Sequence, residues 1–540
     1  MEIVSYNPGH DGAFVQLRDG HLISSVEAEK DSNWRYSPLG SREIVSGFGR
    51  LNGPPDVLAV GGWWPRESRP TGSAAEHVGY RGLDASVVLQ EPRRLFGKDV
   101  HYFSSSHERS HLMSAYGMSS IPQGQPCYAL VWEGAIGAFY EIDADLNITL
   151  IRNVMNQPGN RYASVYGLAD PSFPKDAPFS RFSDAGKLMA LASYSIRKTP
   201  TIEEQQVIDF LLGSLDVRLD LYQQLESSVH YNVGVDDEEF RNFAGIVSDR
   251  IFDTFHRFAE SNLRQGWPLL IAGGCGLNCD WNSKWRDSGL FSDIFVPPVA
   301  NDSGSAIGTA IDAQWHATGN AKIEWDVYSG LPFEQSATAD LSGYDVTDIA
   351  VADVAAMLDF GLILGWVNGR YEIGPRALGN RSILAAPFGE STRVRLNDIK
   401  QREQFRPIAP VCLEVDAAQL FGCTNTSPHM LYTYRVATPA LAAVTHVNGS
   451  ARLQTVSMST NPELHELLVQ FKRRTGFGVL CNTSLNYSGK GFINNLRDLA
   501  EYAKAHKLDG FVVDRRAYLR QDSEQYTAFR GRNQEVSVER

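Results

Sequence analysis

The chain has 540 residues, of which 43% are hydrophobic and 21% charged, and it carries a formal net charge of −13. That length exceeds what one hydrophobic core holds and implies two or three domains of an ordinary globular protein. An acidic chain has no general attraction for nucleic acid or for an anionic membrane, so neither is expected as a partner.

The opening Met1-Glu2-Ile3-Val4 lacks the charged and apolar regions of a secretory signal. No run approaches the ~18 apolar residues that span a bilayer, so a cytoplasmic location is expected. Ile3 to Asn7 reads as a strand and residues 8–13 as a turn. Phe14–Leu17 and Leu22–Val26 then flank Asp19-Gly20, a strong hairpin dipeptide. His10 lies in the first turn. An imidazole of ordinary pKa, about 6.5, can accept a proton from an alcohol near neutrality, although a turn histidine bonded to nearby backbone is the plainer reading.

His107 and His111 occur as H-E-R-S-H. On a helix this spacing sets both imidazoles on one face, one turn apart, where they can share a cation or simply face water. The run also satisfies H-E-x-x-H, so a zinc protease is weighed. The absence of a downstream zincin ligand motif and the company of glycine loops argue against it.

Tyr128–Trp132 runs as a strand into Glu133-Gly134-Ala135-Ile136-Gly137, and strands over 138–142 and 148–152 follow. Lys187, in Asp184-Ala185-Gly186-Lys187, faces either phosphate or water. Asp236 or Asp237 caps a helix whose Phe240, Phe243, Val247, Ile251, Phe255 and Phe258 form one buried stripe. Leu269–Ile271 is a third strand entering a glycine loop, in which Gly273, Gly274 and Asn278 could wrap a nucleotide. Three strand–glycine-loop units suggest an α/β nucleotide-binding architecture with internally related halves. In Asn301-Asp302-Ser303-Gly304 an acidic residue leads into a small-residue helix start, which suits a metal–phosphate site or simply an N-cap. The six cysteines show no disulfide spacing, and the Cys275/Cys279 pair has no second pair to complete a zinc site, so reduced buried thiols are expected.

Periodicity breaks over 325–350, and a new run begins at Val351. Between Arg370 and Pro410 eight basic residues (Arg370, Arg376, Arg381, Arg393, Arg395, Lys400, Arg402, Arg406) meet four acidic ones. Arg376 sits in the turn Gly374-Pro375-Arg376 and Arg406 directly precedes Pro407, and arginines fixed in turns suit a bidentate grip on phosphate. Asn461 and Pro462 start a helix that Gly476 stops, and Val479–Cys481 is then a strand. Arg452 and Asn482 add donors near strand ends. Without interleaved aromatics this is a small-anion pocket, not a nucleic-acid groove. The polar tail after residue 522 is expected to fray.

Gly374-Pro375-Arg376-Ala377-Leu378-Gly379-Asn380-Arg381-Ser382, Lys400-Gln401-Arg402-Glu403-Gln404-Phe405-Arg406-Pro407 and Cys481-Asn482-Thr483-Ser484-Leu485-Asn486 resemble the carbamoyltransferase family of nodulation and antibiotic biosynthesis. His10-Asp11-Gly12-Ala13, His107 with His111, the Gly273-Gly274 loop and Asn301-Asp302-Ser303-Gly304 fit its first half. The opening and Trp132-Glu133-Gly134 look most like the cephem-hydroxymethyl O-carbamoyltransferase branch.

The resemblance implies an α/β protein with an N-terminal actin-like (ASKHA, Kae1-like) domain over 1–345 and a C-terminal YrdC-like α/β domain over 346–540. It implies an ATP-dependent enzyme that passes a carbamoyl group from carbamoyl phosphate, through a carbamoyl adenylate, to a small hydroxylated acceptor. Arg376, Lys400, Arg406, Arg452 and Asn482 would hold carbamoyl phosphate. Lys187, Gly273, Gly274, Asn278 and Gly304 would serve the nucleotide. His107, His111 and Asp302 would hold a divalent metal, iron first and Mg2+ second, with His10 as the catalytic base. Many relatives have Asp-Gly-x-Gly-Glu where this chain has Glu133-Gly134-Ala135-Ile136-Gly137, which leaves that loop without an assigned role.

The rival readings are a sugar-kinase-type phosphotransferase on an actin-like fold and a nucleotide-binding module without chemistry. Trp63, Trp64 and Tyr80 are candidates for the acceptor pocket because they are large and loop-borne, and a homodimer is the default assembly.

Overall fold

The computed structural model describes residues 1–32, 34–62, 80–83, 88–177, 180–213, 216–217, 219–335 and 338–538. The chain folds into two compact units. One comprises Met1–Gly9, Val15–Leu22 and Phe48–Glu324; the other comprises His10–Phe14, Ile23–Gly47 and Trp325–Arg540. The second unit therefore includes two short early pieces, one of which carries His10.

Strands β1 (Glu2–Asn7), β2 (Ala13–Arg18), β3 (His21–Glu27), β4 (Val57–Gly61), β5 (Leu89–Leu95) and β6 (Lys98–Ser105) form a sheet ordered β3-β2-β1-β4-β6-β5. The β2–β3 turn is Asp19-Gly20 with both φ angles positive, 49° and 82°, as the Asp-Gly signal required. A second sheet holds β7 (Cys127–Trp132), β8 (Gly137–Ile142), β9 (Ile148–Asn153), β10 (Leu269–Ala272) and β11 (Ile294–Phe295), ordered β11-β10-β7-β8-β9. β7, β8 and β9 form an antiparallel meander, and β10 runs parallel to both β7 and β11. In the first sheet β4 likewise runs parallel to β1 and β6. Counted from its own first strand, each sheet shares the order third, second, first, fourth, after which the first continues with β6 and β5 and the second with β11. The internally related halves expected from the glycine loops are thus present as a repeated topology.

Central strands β7 and β10 are buried at every residue, which is why their sequences are continuous apolar runs rather than alternating ones. The helix His107–Met118 is buried throughout and lies against the helix Ser303–Thr318. Gly308 makes that contact: a Cβ there would stand 1.8 Å from the Ser110 carbonyl oxygen. Arg109 clamps the same pair with a bidentate bond to Asp312, at 2.7 and 2.8 Å. The helix Glu238–Asn262 starts at Asp237, which accepts from Phe240 N at 2.8 Å, and it buries the expected phenylalanines Phe240, Phe243 and Phe255.

The second unit is built on an eight-stranded sheet. Its strands are β12 (Tyr344–Asp348), β13 (Leu364–Val367), β14 (Arg381–Ala385), β15 (Ala409–Leu413), β18 (Gln454–Val456), β19 (Val479–Ser484), β20 (Gly510–Val513) and β21 (Arg516–Arg520). The order is β12-β21-β20-β13-β14-β19-β15-β18, and β16 (Thr433–Arg435) pairs separately with β17 (Ser450–Arg452). Ile383, Cys412 and Cys481 enter one core, while Leu384, Val411 and Leu480 enter the core on the other face, beneath the helices Val351–Phe360 and Pro462–Thr475. Both faces are covered, in keeping with the two-residue period of a strand.

Over its described residues the expected fraying of the tail is replaced by a helix. Glu524–Val538 is a helix, held by Tyr526, which is buried in the second core and donates its hydroxyl to Asp345 at 2.9 Å. All six cysteines are free thiols, five of them buried. Among the described residues no helix is long and apolar enough to cross a membrane.

Candidate active site

His107 is the first residue of its helix, which Ser106 caps by accepting from Arg109 N at 3.1 Å. One turn later His111 brings its Nε2 to 3.0 Å from that of His107. Asp302, just ahead of the helix Ser303–Thr318, sets Oδ1 3.2 Å from His111 Nε2 and 3.5 Å from His107 Nε2. The fourth member is Glu133, whose Oε2 lies 3.3 and 3.4 Å from the two nitrogens. All four side chains are buried, and their ligand atoms lie within 4.8 Å of one another.

Burial opposes a charge on His107, but Asp302 and Glu133 outweigh it and push its pKa up to about 10. His111 is raised in the same way. Burial would raise Glu133, yet the two imidazoles bring it down to about 2. Two imidazole nitrogens and two carboxylates suit a borderline divalent ion of the iron or zinc kind better than Mg2+, which prefers an all-oxygen shell. The sequence reading named three of these residues and missed Glu133. The available signal was an acid placed directly after a fully buried strand.

Tyr80 belongs to this cluster rather than to a separate aromatic pocket: it stacks on His107 and donates to Glu133 at 2.9 Å. Trp63 and Trp64 lie outside the described residues. Glu108, the glutamate of H-E-x-x-H, accepts from the Tyr140 hydroxyl and from Gly82 N at 2.8 Å. Both its oxygens are engaged with those groups, and the protease reading loses its base.

The expected nucleotide residues have local duties. Gly273 has φ +93°, and a Cβ there would stand 2.5 Å from the Trp132 carbonyl oxygen; at Gly304 it would stand 2.0 Å from that of Val299. Gly274 alone of the three glycines opens on free space within 4 Å. Asn278 caps the helix Cys279–Asp287, accepting from Asp280 N and Trp281 N at 3.1 and 3.2 Å. Lys187 pairs with Asp184 at 3.3 Å.

In the second unit the loop bearing Arg376 is tightly specified. One oxygen of Glu372 accepts from Leu378 N and Asn380 N at 2.7 Å and from Arg381 N at 3.2 Å. Lys30 donates to the Glu372 and Gly374 carbonyls, and Glu27 accepts from Gly374 N at 2.6 Å. Arg381 is spent on structure, donating to Asn494 Oδ1 and to the carbonyls of Asn368, Gly369 and Asn380. Asn482 Nδ2 joins the loop to β18, bonding Ala377 O at 3.1 Å and Gln454 Oε1 at 2.8 Å.

Beside it lies a group of cations. Lys400 is buried and gives three donors to Ser484 O, Asn486 O and Asn486 Oδ1, at 2.6 to 2.7 Å. Burial, then Arg402, Arg406 and Arg35, hold its pKa well below the usual lysine range. Arg402 is brought down to about 9 by burial and by Arg406 and Arg452. Burial and Arg452 also lower Arg406, although Glu403, 3.6 Å away, opposes them. Several positive charges thus repel one another, with Glu403 beside Arg406 and Glu29 beside Arg35 as partial counter-charges, which is the electrostatic mark of a site completed by an anion. Lys400, Arg406 and Arg452 were expected here. Arg35, from the early segment 23–47, was not, because nothing in its local sequence ties it to residues 400–452.

His10 also lies in the second unit, with Nδ1 3.1 Å from Asp11 Oδ2 and its side chain 36% exposed.

Sequence models described as Carbamoyltransferase N-terminus and Carbamoyltransferase C-terminus match residues 80–311 and 355–520. The chain is 45% identical to a 3'-hydroxymethylcephem-O-carbamoyltransferase of Amycolatopsis lactamdurans, over 96% of this chain and 99% of that one. It is equally similar to the protein of that name from Streptomyces clavuligerus. It is 33% identical to a Nodulation protein U of Rhizobium tropici, over 93% and 94% of the two chains. The chain belongs to the carbamoyltransferase family. Among solved structures, Ta0583, an archaeal actin homolog, aligns over 58% of this chain and 99% of its own at 13% identity and a TM-score of 0.26, too remote a likeness to argue from.

Proposed function

We propose that the chain is an ATP-dependent O-carbamoyltransferase that takes its carbamoyl group from carbamoyl phosphate and places it on a small-molecule hydroxyl. The observation that carries this reading is the group of mutually repelling guanidiniums Arg402, Arg406 and Arg452 beside the Arg376 loop and the buried Lys400, a charge pattern that suits a phosphorylated small molecule. The names of the relatives at 45% identity favour the hydroxymethyl group of a cephem as the acceptor. The repeated order of the sheets built from β1–β6 and β7–β11 supports the actin-like assignment, and we retain the YrdC-like assignment for the C-terminal sequence.

The donor is activated before its carbamoyl group is transferred. Carbamoyl phosphate loses phosphate to water, and the carbamate oxygen attacks the α-phosphorus of ATP, forming carbamoyl adenylate and expelling pyrophosphate. The acceptor oxygen then attacks the carbamoyl carbon, AMP leaves, and His10 takes the hydroxyl proton. Guanidiniums of Arg376, Arg406 and Arg452 neutralise the donor phosphate, and Asn482 keeps the Arg376 loop in place through Ala377. His107, His111, Glu133 and Asp302 would hold a divalent ion, which supplies positive charge against the nucleotide phosphate. Carrying out both steps on one chain keeps the labile carbamoyl adenylate from water.

The test is mass spectrometry of a 3'-hydroxymethylcephem incubated with enzyme, ATP and carbamoyl phosphate. A gain of one carbamoyl group with release of AMP and pyrophosphate is expected. ADP with a phosphorylated acceptor would establish the kinase reading instead, and ATP binding without turnover would establish the binding module.

A further inference from the structure

His10 and Asp11 are neighbours in sequence, and side chains of consecutive residues ordinarily diverge. Here they meet, with Nδ1 3.1 Å from Oδ2, and Asp11 carries a left-handed φ of +51°. Outside glycine that conformation is uncommon, costs conformational energy, and gathers at functional sites where the surroundings impose it. The surroundings here do impose it. Asp11 N donates to Tyr36 O, Gly12 N to Ser37 O at 2.9 Å, and Ala28 N to Gly12 O at 2.7 Å. A Cβ on Gly12 would stand 2.3 Å from Leu39 N, so the turn has no room to relax. Asp11 is 7% exposed while the His10 side chain is 36% exposed, which gives a sheltered carboxylate behind an accessible ring.

We propose that Asp11 is a positioning residue: it accepts Nδ1–H of His10, holding the ring in one orientation and in the tautomer whose lone pair sits on Nε2, the atom that removes the acceptor's proton. The proposal rests on the role given above to His10. Aspartate suits the task doubly, because its short polar side chain tolerates the left-handed backbone and its charge stabilises the imidazolium formed when the proton moves. Among the described residues of the packed segment, Arg35 and Tyr36 act on Asp11 and Glu29 stands behind them, while Lys30 is turned to Glu27 and the Glu372 and Gly374 carbonyls. Arg35 acts on Asp11 electrostatically, and Glu29 holds both Arg35, at 3.5 Å, and the Tyr36 amide, at 3.2 Å.

The discriminating variant is Asp11→Asn, which keeps the size and the tolerance for positive φ and removes the charge. Carbamoyl transfer is followed against pH in wild type, Asp11→Asn and His10→Ala. Asp11→Asn is expected to lower kcat about tenfold or more with KM for acceptor and carbamoyl phosphate unchanged. Its acid limb should move about one pH unit lower, because the imidazolium loses a partner. Nitrogen NMR of the histidine rings supplies a readout independent of turnover: His10 should show one neutral tautomer in wild type, and a mixture with a lower titration midpoint in Asp11→Asn. An unmoved acid limb, or an unchanged tautomer and midpoint, overturns the proposal. Full turnover in His10→Ala would instead overturn the role of His10 itself, and absence of any carbamoyl transfer in wild type would overturn the proposed function.

Discussion

Tyr80 lies flat against His107, with ring centroids 4.6 Å apart and planes 11° from parallel, while its hydroxyl donates to Glu133. One side chain therefore orients two members of the four-residue cluster. Tyr80→Phe keeps the stack and removes the hydrogen bond. Loss of a partner that orients a ligand typically costs about tenfold in metal affinity, and that is the expected change for Fe2+ or Zn2+ in a competition titration. Glu133→Ala should lower the bound-metal stoichiometry itself, measured by elemental analysis after dialysis.

Gly308→Ala tests how the cluster is brought together. The added methyl would meet the Ser110 carbonyl of the facing helix, and the helices Ser303–Thr318 and His107–Met118 must separate to admit it. Overpacking of this sort costs about 1–3 kcal/mol. Chemical denaturation should show that loss, and metal affinity should fall with it because Asp302 and the two histidines sit on opposite sides of the contact.

Arg452→Ala bears on the anion site. Removing one of several mutually repelling cations relieves repulsion when no anion is present, so the melting temperature should hold or rise. A charge-assisted hydrogen bond contributes about 1.5–3 kcal/mol, and KM for carbamoyl phosphate should therefore rise about tenfold or more in steady-state kinetics. An unchanged KM would remove Arg452 from the donor site.

Glu204 supplies a pH dependence. Burial alone would raise its pKa, but Arg197, the Thr201 amide and His230 bring it below the usual carboxylate value, with Arg197 bidentate at 2.7 and 2.8 Å. A carboxyl depressed in the folded state contributes stability that is present above its unfolded pKa of about 4.3 and lost as pH falls through the folded value. Arg197→Met should cost about 1–3 kcal/mol at pH 7. Its difference from wild type in urea unfolding should shrink as the pH is taken below 4.

Local chemistry was legible from the sequence. Asn461 caps its helix by accepting from Leu464 N, three residues on, and Gly476 ends it with φ +84°. The Asp19-Gly20 hairpin, the Asp237 cap and the His107/His111 spacing are of the same kind, since each interaction closes within about four residues. The tail was misjudged because its polarity hid Tyr526, whose partner Asp345 lies 181 positions earlier.

Periodicity and caps by themselves determined an α/β chain with two histidines on one helical face and arginines held in turns, and three motifs added the resemblance to carbamoyltransferases. Only tertiary structure decided that Glu133 completes the histidine cluster, that Lys400 spends its donors on the chain after β19, and that Arg35 and His10 fold with the C-terminal sequence. Those outcomes depend on which segments pack together, and the free energy of packing is set by surfaces distant in sequence rather than by any residue's immediate neighbours.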